Sequence, residues 1–358
     1  MGRPRNHEQA AAQTAELARQ PEFQKQDGTP NIHKIAKELN MSRSAVRERL
    51  KFSNLDLTPP GLTFPNFPED DIPIEQIIDL QTKRVEKRLA SYDAHTWYNV
   101  EVDEPGPIGI VWFGDPHLDD NGCHWPLLRD HIKACKDTPR CYGANIGDTN
   151  NNWVGNLMRL YAEQDTSRKT ATRLAEWFIF DSGVDWLLWL FGNHDQWNEG
   201  AEVLKRIGGH AIAMHDWEAR FKLTWPDGRE IKIRSAHDFP GNSQWNPAHG
   251  PMKEAMWGEE ADIYVCGHKH NAFGAFWEVA RRNFTANIIR VRGYKFLDSH
   301  ARRLGLPEQS GGASCLTILR PYCEDPYGRV LMYYDIELGS RVLKMEIDHY
   351  EKTHKKGK

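Results

Sequence analysis

Five short clusters of carboxylate, imidazole and amide side chains are spaced along the 358 residues of this chain. They are Asp115 and His117 in Gly114-Asp115-Pro116-His117, Asp148 in Gly147-Asp148-Thr149-Asn150, Asn193 in Gly192-Asn193-His194-Asp195, an isolated His237, and His268 and His270 in Gly267-His268-Lys269-His270. Mixed imidazole and carboxylate donors suit zinc, manganese or iron, whereas calcium prefers shells made of oxygen alone. Two such cations about 3.5 to 4 Å apart form the arrangement used for in-line attack at phosphorus. One carboxylate can give an oxygen to each ion, and Asp148 is the expected bridge, with Asn193 supplying a neutral carbonyl oxygen. Two divalent ions carry more positive charge than Asp115, Asp148 and a bound hydroxide cancel, so the site keeps the polarity that attracts a phosphate.

The elements that must position these residues are also legible. Ile108 to Phe113, Val184 to Phe191, Glu230 to Arg234 and Ile263 to Cys266 are short apolar or β-branched runs that each end before a ligand-type residue. Cys141 to Ile146, ahead of Asp148, is a weaker strand broken by Gly143. Polar residues beyond the ends of buried strands line the crevice where α/β folds bind ligands. The expectation is therefore convergence of all five clusters on one edge of a sheet. His237 follows the run Ile231-Lys232-Ile233-Arg234, which favours it over His210, His215 and His249.

In this order, Asp-x-His, Gly-Asp, Gly-Asn-His-Asp, His and Gly-His-x-His, the clusters resemble those of the calcineurin-like metallophosphoesterase superfamily. The resemblance covers roughly residues 108 to 295. It implies an α/β fold, a two-sheet metallophosphoesterase sandwich with flanking helices. It implies that Asp115, His117, Asp148 and His270 hold one metal and that Asp148, Asn193, His237 and His268 hold the other. Manganese is the expected metal, with zinc, iron or nickel as alternatives. His194 is then free of the metals and protonates the leaving oxygen, with Asp195 orienting its ring. The departure from the family pattern is Asp238, where a glycine usually follows the isolated histidine.

Composition agrees with an intracellular enzyme. No stretch approaches the roughly 20 apolar residues of a membrane span, because the most apolar one, Trp177 to Phe191, contains Asp181 and Asp185. No signal-type segment opens the chain, and the six cysteines show no Cys-x-x-Cys spacing, so the expected setting is a reducing cytoplasm. Of the tryptophans, Trp125, Trp153, Trp197 and Trp245 lie near the clusters in sequence and are candidates for stacking on nucleobases, although aromatic residues more commonly anchor cores and loops.

Charge divides the chain: residues 1–51 carry a net +4 and the remainder −8, against −4 overall. Within the basic part, Ile32 to Lys51 resembles a helix-turn-helix. Ile35 and Leu39 share one face, Ala36 permits a close helix crossing, Asn40-Met41-Ser42 makes the turn, and Val46 and Leu50 point inward. Ser42, Arg43, Ser44 and Arg47 are left on the outer face near the helix start, where a recognition helix meets DNA. An earlier helix from about His7 to Arg19 completes a small all-α N-terminal unit. Gly2-Arg3-Pro4-Arg5 resembles the core of a minor-groove hook.

The expected organisation is a helix-turn-helix domain over 1–53, a proline-rich linker and amphipathic helix over 54–100, the catalytic domain over 101–350 and a basic tail over 351–358. Glu75 to Leu89 is the amphipathic segment, and residues 75–90 are a candidate surface for homo-oligomer or protein contact. Later strands are expected at Ala275 to Ala280, Asn287 to Val291, Ser314 to Leu319 and Val330 to Glu337. Arg290, Arg292 and Lys295 are candidates to flank a substrate phosphate, with a solvated strand face as the equal alternative. The functional expectation is a DNA phosphodiesterase with a metal-bound hydroxide as nucleophile, no membrane partner, and His194 as acid. The alternative is a phosphatase or cyclic-nucleotide phosphodiesterase whose helical unit serves regulation or assembly.

Overall fold

Ile108 to Phe113 is buried at every position, which requires cover on both faces of its strand. In the computed structural model, which describes residues 5–53, 71–94, 96–209, 212–296 and 312–354, that cover is a second sheet on one side and helices on the other. The chain divides into two compact units, residues 1–82 and 83–358.

In the larger unit the strands are β1 (Tyr98–Glu101), β2 (Ile108–Phe113), β3 (Cys141–Asn145), β4 (Trp186–Phe191), β5 (Met214–Asp216), β6 (Glu218–Thr224), β7 (Glu230–Ala236), β8 (Ile263–Cys266), β9 (Phe273–Val279), β10 (Phe284–Arg290), β11 (Cys315–Leu319) and β12 (Val330–Tyr333). They form two mixed six-stranded sheets, ordered β1-β6-β7-β8-β10-β9 and β12-β11-β2-β3-β4-β5. β2, β3, β4 and β5 run parallel in one sheet, and β7, β8 and β10 run parallel in the other. Alternation along the strands explains the layers. Ile110 and Trp112 of β2 and Leu188 and Leu190 of β4 face Phe221, Ile233, Val265 and Ile289 across the sandwich interior. Val111 and Phe113, one residue out of phase, join Trp189, Phe191 and the outer helices.

Those outer helices include Trp125–Lys136, Arg168–Glu176 and Ile336–His354, while His249–Trp257 covers the other sheet through Ala248, Ala255 and Tyr264. The two-sheet sandwich with flanking helices is the architecture that the resemblance implied. The run Val330 to Glu337 departs from expectation: strand ends at Tyr333, and Glu337 lies in the terminal helix. Asp335 accepts the Leu338 amide at 2.9 Å and starts that helix, whose Ile336, Leu343 and Ile347 fall on one buried face. Residues 351–354, assigned to a basic tail, continue the same helix.

In the smaller unit the helices Arg5–Arg19, Ile32–Glu38 and Arg43–Phe52 close over Ala15, Ala18, Ile35, Ala36, Val46 and Leu50. Asn40 takes φ 48° in the turn, and the Ser42 Oγ accepts the Ala45 amide at 3.2 Å as an N-cap. Ser42, Arg43, Ser44 and Arg47 are all exposed. The helix Ile74–Ala94 spans the division between the units and is longer than the expected segment; its Ile74, Ile78, Leu80, Val85 and Leu89 are exposed. Met1 to Pro4, most of the proline-rich linker and Lys355 to Lys358 lie outside the described residues. Among the described residues no helix is long and apolar enough to cross a membrane.

Candidate metal centre

Each cluster lies just past the C-terminal end of a strand, but the strands belong to both sheets. Asp115 and His117 follow β2, Asp148 follows β3, Asn193 to Asp195 follow β4, His237 follows β7, and His268 and His270 follow β8. The expected convergence on one sheet edge is therefore corrected to the common rim of two packed sheets. Asp115, His117, Asp148, His268 and His270 all have positive φ, between 39° and 66°. Side chains other than glycine adopt this region at a cost of about 1 to 3 kcal/mol each, a form of strain that clusters at functional sites.

Asp148 is the centre of the arrangement. Its Oδ1 accepts the His194 backbone amide at 2.9 Å, leaving Oδ2 to face His237 Nε2 at 3.3 Å, His117 Nε2 at 3.9 Å and His194 Nε2 at 4.0 Å. Two donor groups share this carboxylate: His117, Asp148 and His194 on one side, and Asp148, His237 and His268 on the other, the atoms of each lying within 4.8 Å of one another. Asn193 Oδ1 and His268 Nδ1 each lie 3.1 Å from His237 Nε2. Asp115 turns Oδ2 to the His268 amide at 2.8 Å, while its buried Oδ1 has no hydrogen-bond partner and lies 3.7 Å from His237 Nδ1. The His270 ring stands 5.3 Å from that of His117.

The electrostatics match this geometry. Burial raises the Asp115 carboxyl well above the ordinary range, and Asp148 adds to it. Burial also opposes charge on Asp148, but His237, His194 and His117 overcome it and hold that carboxyl well below the ordinary range. His237 is the counterpart: burial pushes its ring down, and the facing Asp148 carboxylate lifts it to about 10. His117 and His194 are both lowered, by burial first.

A buried carboxylate that draws positive charge, a second with an orphaned oxygen, and imidazoles turned toward them form a donor set for divalent cations. The residues fit two such ions. Close approach depends on glycine: a Cβ at Gly192 would stand 2.1 Å from Asp148 Oδ1, and one at Gly267 would stand 2.6 Å from Asp115 Oδ2.

His194 is positioned differently from expectation. Asp195 is fully buried, but its oxygens accept the Thr149 amide at 2.9 Å and the Gly192 amide at 3.0 Å, so it ties together the loops carrying Asp148 and Asn193. The His194 ring is held by the Asn151 main-chain carbonyl at Nδ1 and packed by Trp197 and Trp153, with centroids at 4.1 and 5.1 Å. A main-chain acceptor has no signature in residue type, and no sequence signal marks Asn151 for this role.

Arg290 also changes role. Instead of flanking a phosphate, its fully buried guanidinium donates to Pro247 O at 2.9 Å, to Gly267 O and to Asp238 Oδ1 at 2.9 Å. Asp238, the departure from the family pattern, is thereby part of a brace that binds the His237 loop to the His268 loop, with Lys269 at 3.5 Å. Arg292 lies over the Phe296 ring at 3.5 Å. Lys295 is buried beside the centre, 3.0 Å from Asp120 Oδ2 and 4.8 Å from the Trp153 ring. Trp125 packs on Trp177, and Trp245 is 92% exposed. Among the rival histidines, His215 stacks on Tyr98 and His249 begins a helix, while His210 lies outside the described residues.

No family model matches the chain, and no curated protein matches it. Among solved structures it is similar to the calcineurin-like phosphoesterase YfkN from Bacillus subtilis, at 9% identity and TM-score 0.33, over 60% of this chain and 84% of that one. It is also similar to GAP50, described as the anchor in the inner membrane complex of Plasmodium, at 12% identity and TM-score 0.34, over 64% of this chain and 84% of that one. At these scores the functional reading rests on this chain's own residues.

Proposed function

We propose that the chain is a dinuclear-metal-dependent phosphodiesterase that hydrolyses DNA, with its N-terminal three-helix unit binding the duplex. The observation that carries the reading is the shared Asp148 carboxylate between two imidazole-rich donor groups at the rim of the sandwich. Asp115, His117, Asp148 and His270 would hold one ion, and Asp148, Asn193, His237 and His268 the other. Two divalent ions at such a site polarise a phosphoryl oxygen and activate water at neutral pH.

The chain's own groups supply the rest. The Asn151 carbonyl keeps a proton on His194 Nδ1, which turns Nε2 toward Asp148 and the reacting centre. With Nδ1 already protonated, Nε2 carries a proton only in the imidazolium, which burial disfavours and the Asp148 carboxylate favours, and that second proton is the one delivered to the departing oxygen. His194 also lies close enough to His117 and Asp148 to serve as a metal ligand; the fixed Nδ1 contact and the two tryptophans packed on the ring favour the acid role. Lys295, ion-paired with Asp120 at 3.0 Å, places an ammonium group close enough to act on His117 and His194. In the smaller unit, the exposed Ser42, Arg43, Ser44 and Arg47 at the start of a capped helix supply the donors and charge a DNA backbone requires.

The test is incubation of the full-length protein with manganese and linear, circular or single-stranded DNA, beside bis(4-nitrophenyl) phosphate. Metal-dependent hydrolysis of the small diester together with cleavage of at least one DNA form is expected. Turnover of a monoester or cyclic nucleotide with no DNA cleaved would overturn the nuclease reading in favour of a phosphatase or cyclic-nucleotide phosphodiesterase.

A further inference from the structure

A cleft of ≈ 350 Å³ opens beside His194, between the loop that carries Asp148 and the segment that follows β4. Asn150 and Asn152 line it from the first, Asn198, Val203 and Leu204 from the second, and Arg168 and Lys169 from the helix Arg168–Glu176. It adjoins the metal centre covalently and by hydrogen bond: Asn150 is two residues from Asp148, and Asn152 Nδ2 donates to the His194 carbonyl at 3.1 Å.

Three features define its chemistry. Arg168 and Lys169 are exposed in the first turn of their helix, where free amides also favour an anion, and the Arg168 guanidinium lies over the Tyr161 ring at 5.6 Å. Ala171, Val203 and Leu204 provide apolar wall. Asn150, only 7% exposed, donates from Nδ2 to the Ala171 carbonyl at 3.3 Å, while its Oδ1 is buried without a hydrogen-bond partner. An acceptor held out of water in this way is matched by a ligand that brings a donor. Of the carboxylates on the wall, Asp119 is committed to the Asn151 amide at 2.8 Å and Gln164 Nε2 at 2.7 Å, and Glu199 is a further acceptor.

An anion, a flat group that rests on apolar surface and an N–H donor occur together in a nucleotide. The volume also lies within the roughly 300 to 1,000 Å³ typical of small-ligand sites. We propose that this cleft is a nucleotide subsite. It takes the nucleoside monophosphate unit next to the scissile bond, with its phosphate at Arg168 and Lys169 and its base donating to Asn150 Oδ1. The proposal rests on the DNA phosphodiesterase reading for its place in catalysis, but its binding chemistry is separately measurable.

Calorimetric titration of the full-length protein with 2′-deoxyadenosine 5′-monophosphate, and separately with inorganic phosphate, tests it. The variants are Asn150→Leu and the double change Arg168→Ala with Lys169→Ala, each checked by circular dichroism. The nucleotide is expected to bind the unsubstituted protein, and each variant to weaken that binding by about tenfold or more. Phosphate alone is expected to lose affinity only in the Arg168/Lys169 variant. No binding of the nucleotide, or equal binding by all folded proteins, would overturn the subsite; should Asn150→Leu fail to fold, the surface double variant decides. If the protein cuts no DNA yet binds the nucleotide through these residues, the nuclease reading falls and the subsite stands. If it cuts DNA while both variants bind the nucleotide as the unsubstituted protein does, the subsite alone falls.

Discussion

At Asp148 both carboxylate oxygens are committed: Oδ1 to the His194 amide, and Oδ2 to the space that three imidazoles face. Asp148→Asn replaces a bridging anion with a neutral amide, and elemental analysis is expected to show fewer than two metals per chain together with loss of diesterase activity. Two bound metals and full activity in that variant would remove the basis for the bridge. His194 makes a separable prediction, because its ring is fixed by Asn151 and two tryptophans. His194→Gln is expected to retain both metals and to lose about 10² to 10⁴-fold in rate on poor leaving groups, the usual contribution of general acid catalysis. Nitrophenyl esters, whose leaving oxygen needs little protonation, should suffer less. Equal loss on both substrate types argues for phosphate binding, and loss of a metal argues for ligation. These residues were legible as types, since carboxylate, imidazole and amide side chains announce their chemistry. The Asn151 carbonyl and the Arg290 brace were not, because one acts through the main chain and the other through partners on distant loops.

At the scale of elements, the strands Ile108–Phe113 and Ile263–Cys266 were legible to the residue because each is an uninterrupted apolar run bounded by polar turns. The strand expected over Val330 to Glu337 stops short because Val330 to Tyr333 is an uninterrupted apolar run like a strand, whereas the apolar residues after it recur at helical spacing. The helix pair Ile32–Glu38 and Arg43–Phe52 follows local chemistry: Ser42 caps the second helix, and Val46 and Leu50 are its buried residues. That leaves Arg47 exposed one residue past the buried Val46. Arg47→Ala in the full-length chain is expected to reduce the slope of log affinity for DNA against log salt by about one unit if the side chain meets a phosphate. An unchanged slope would take Arg47 out of the interface.

For the whole molecule, stability depends on a polar group buried beneath the sheet. His131 shares a hydrogen bond with Tyr294 Oη at 2.7 Å, and that hydroxyl meets Ser314 Oγ at 2.6 Å. Burial lowers the His131 ring to about 4, against the pull of Asp130 and Asp335. The unfolded chain, with an ordinary imidazole near 6.5, therefore binds a proton that the folded chain resists. Stability from this group is fully present above about pH 6.5, falls as the pH drops, and is exhausted near pH 4, a loss of about 3 kcal/mol at roughly 1.4 kcal/mol per unit. The unfolding free energy of the unsubstituted protein relative to His131→Asn is expected to fall by that amount between pH 7 and pH 4, measured by urea denaturation. A constant difference would mean that His131 titrates normally in the folded state.

The sequence by itself determined which residues could hold metal, that each follows a buried strand, and that a capped helix pair precedes the sandwich. All of these are written in runs of fewer than about twenty neighbours, where periodicity and side-chain chemistry act directly. Tertiary structure alone decided how the donors combine. Asp148 meets the His194 amide 46 positions away, His237 meets Asn193 across 44, and Asp115 meets the His268 amide across 153. Those meetings depend on two sheets packing with their strand ends on one rim, and on Arg290 tying the His237 and His268 loops together. No local pattern encodes either, because both arise only when the core between the sheets has closed.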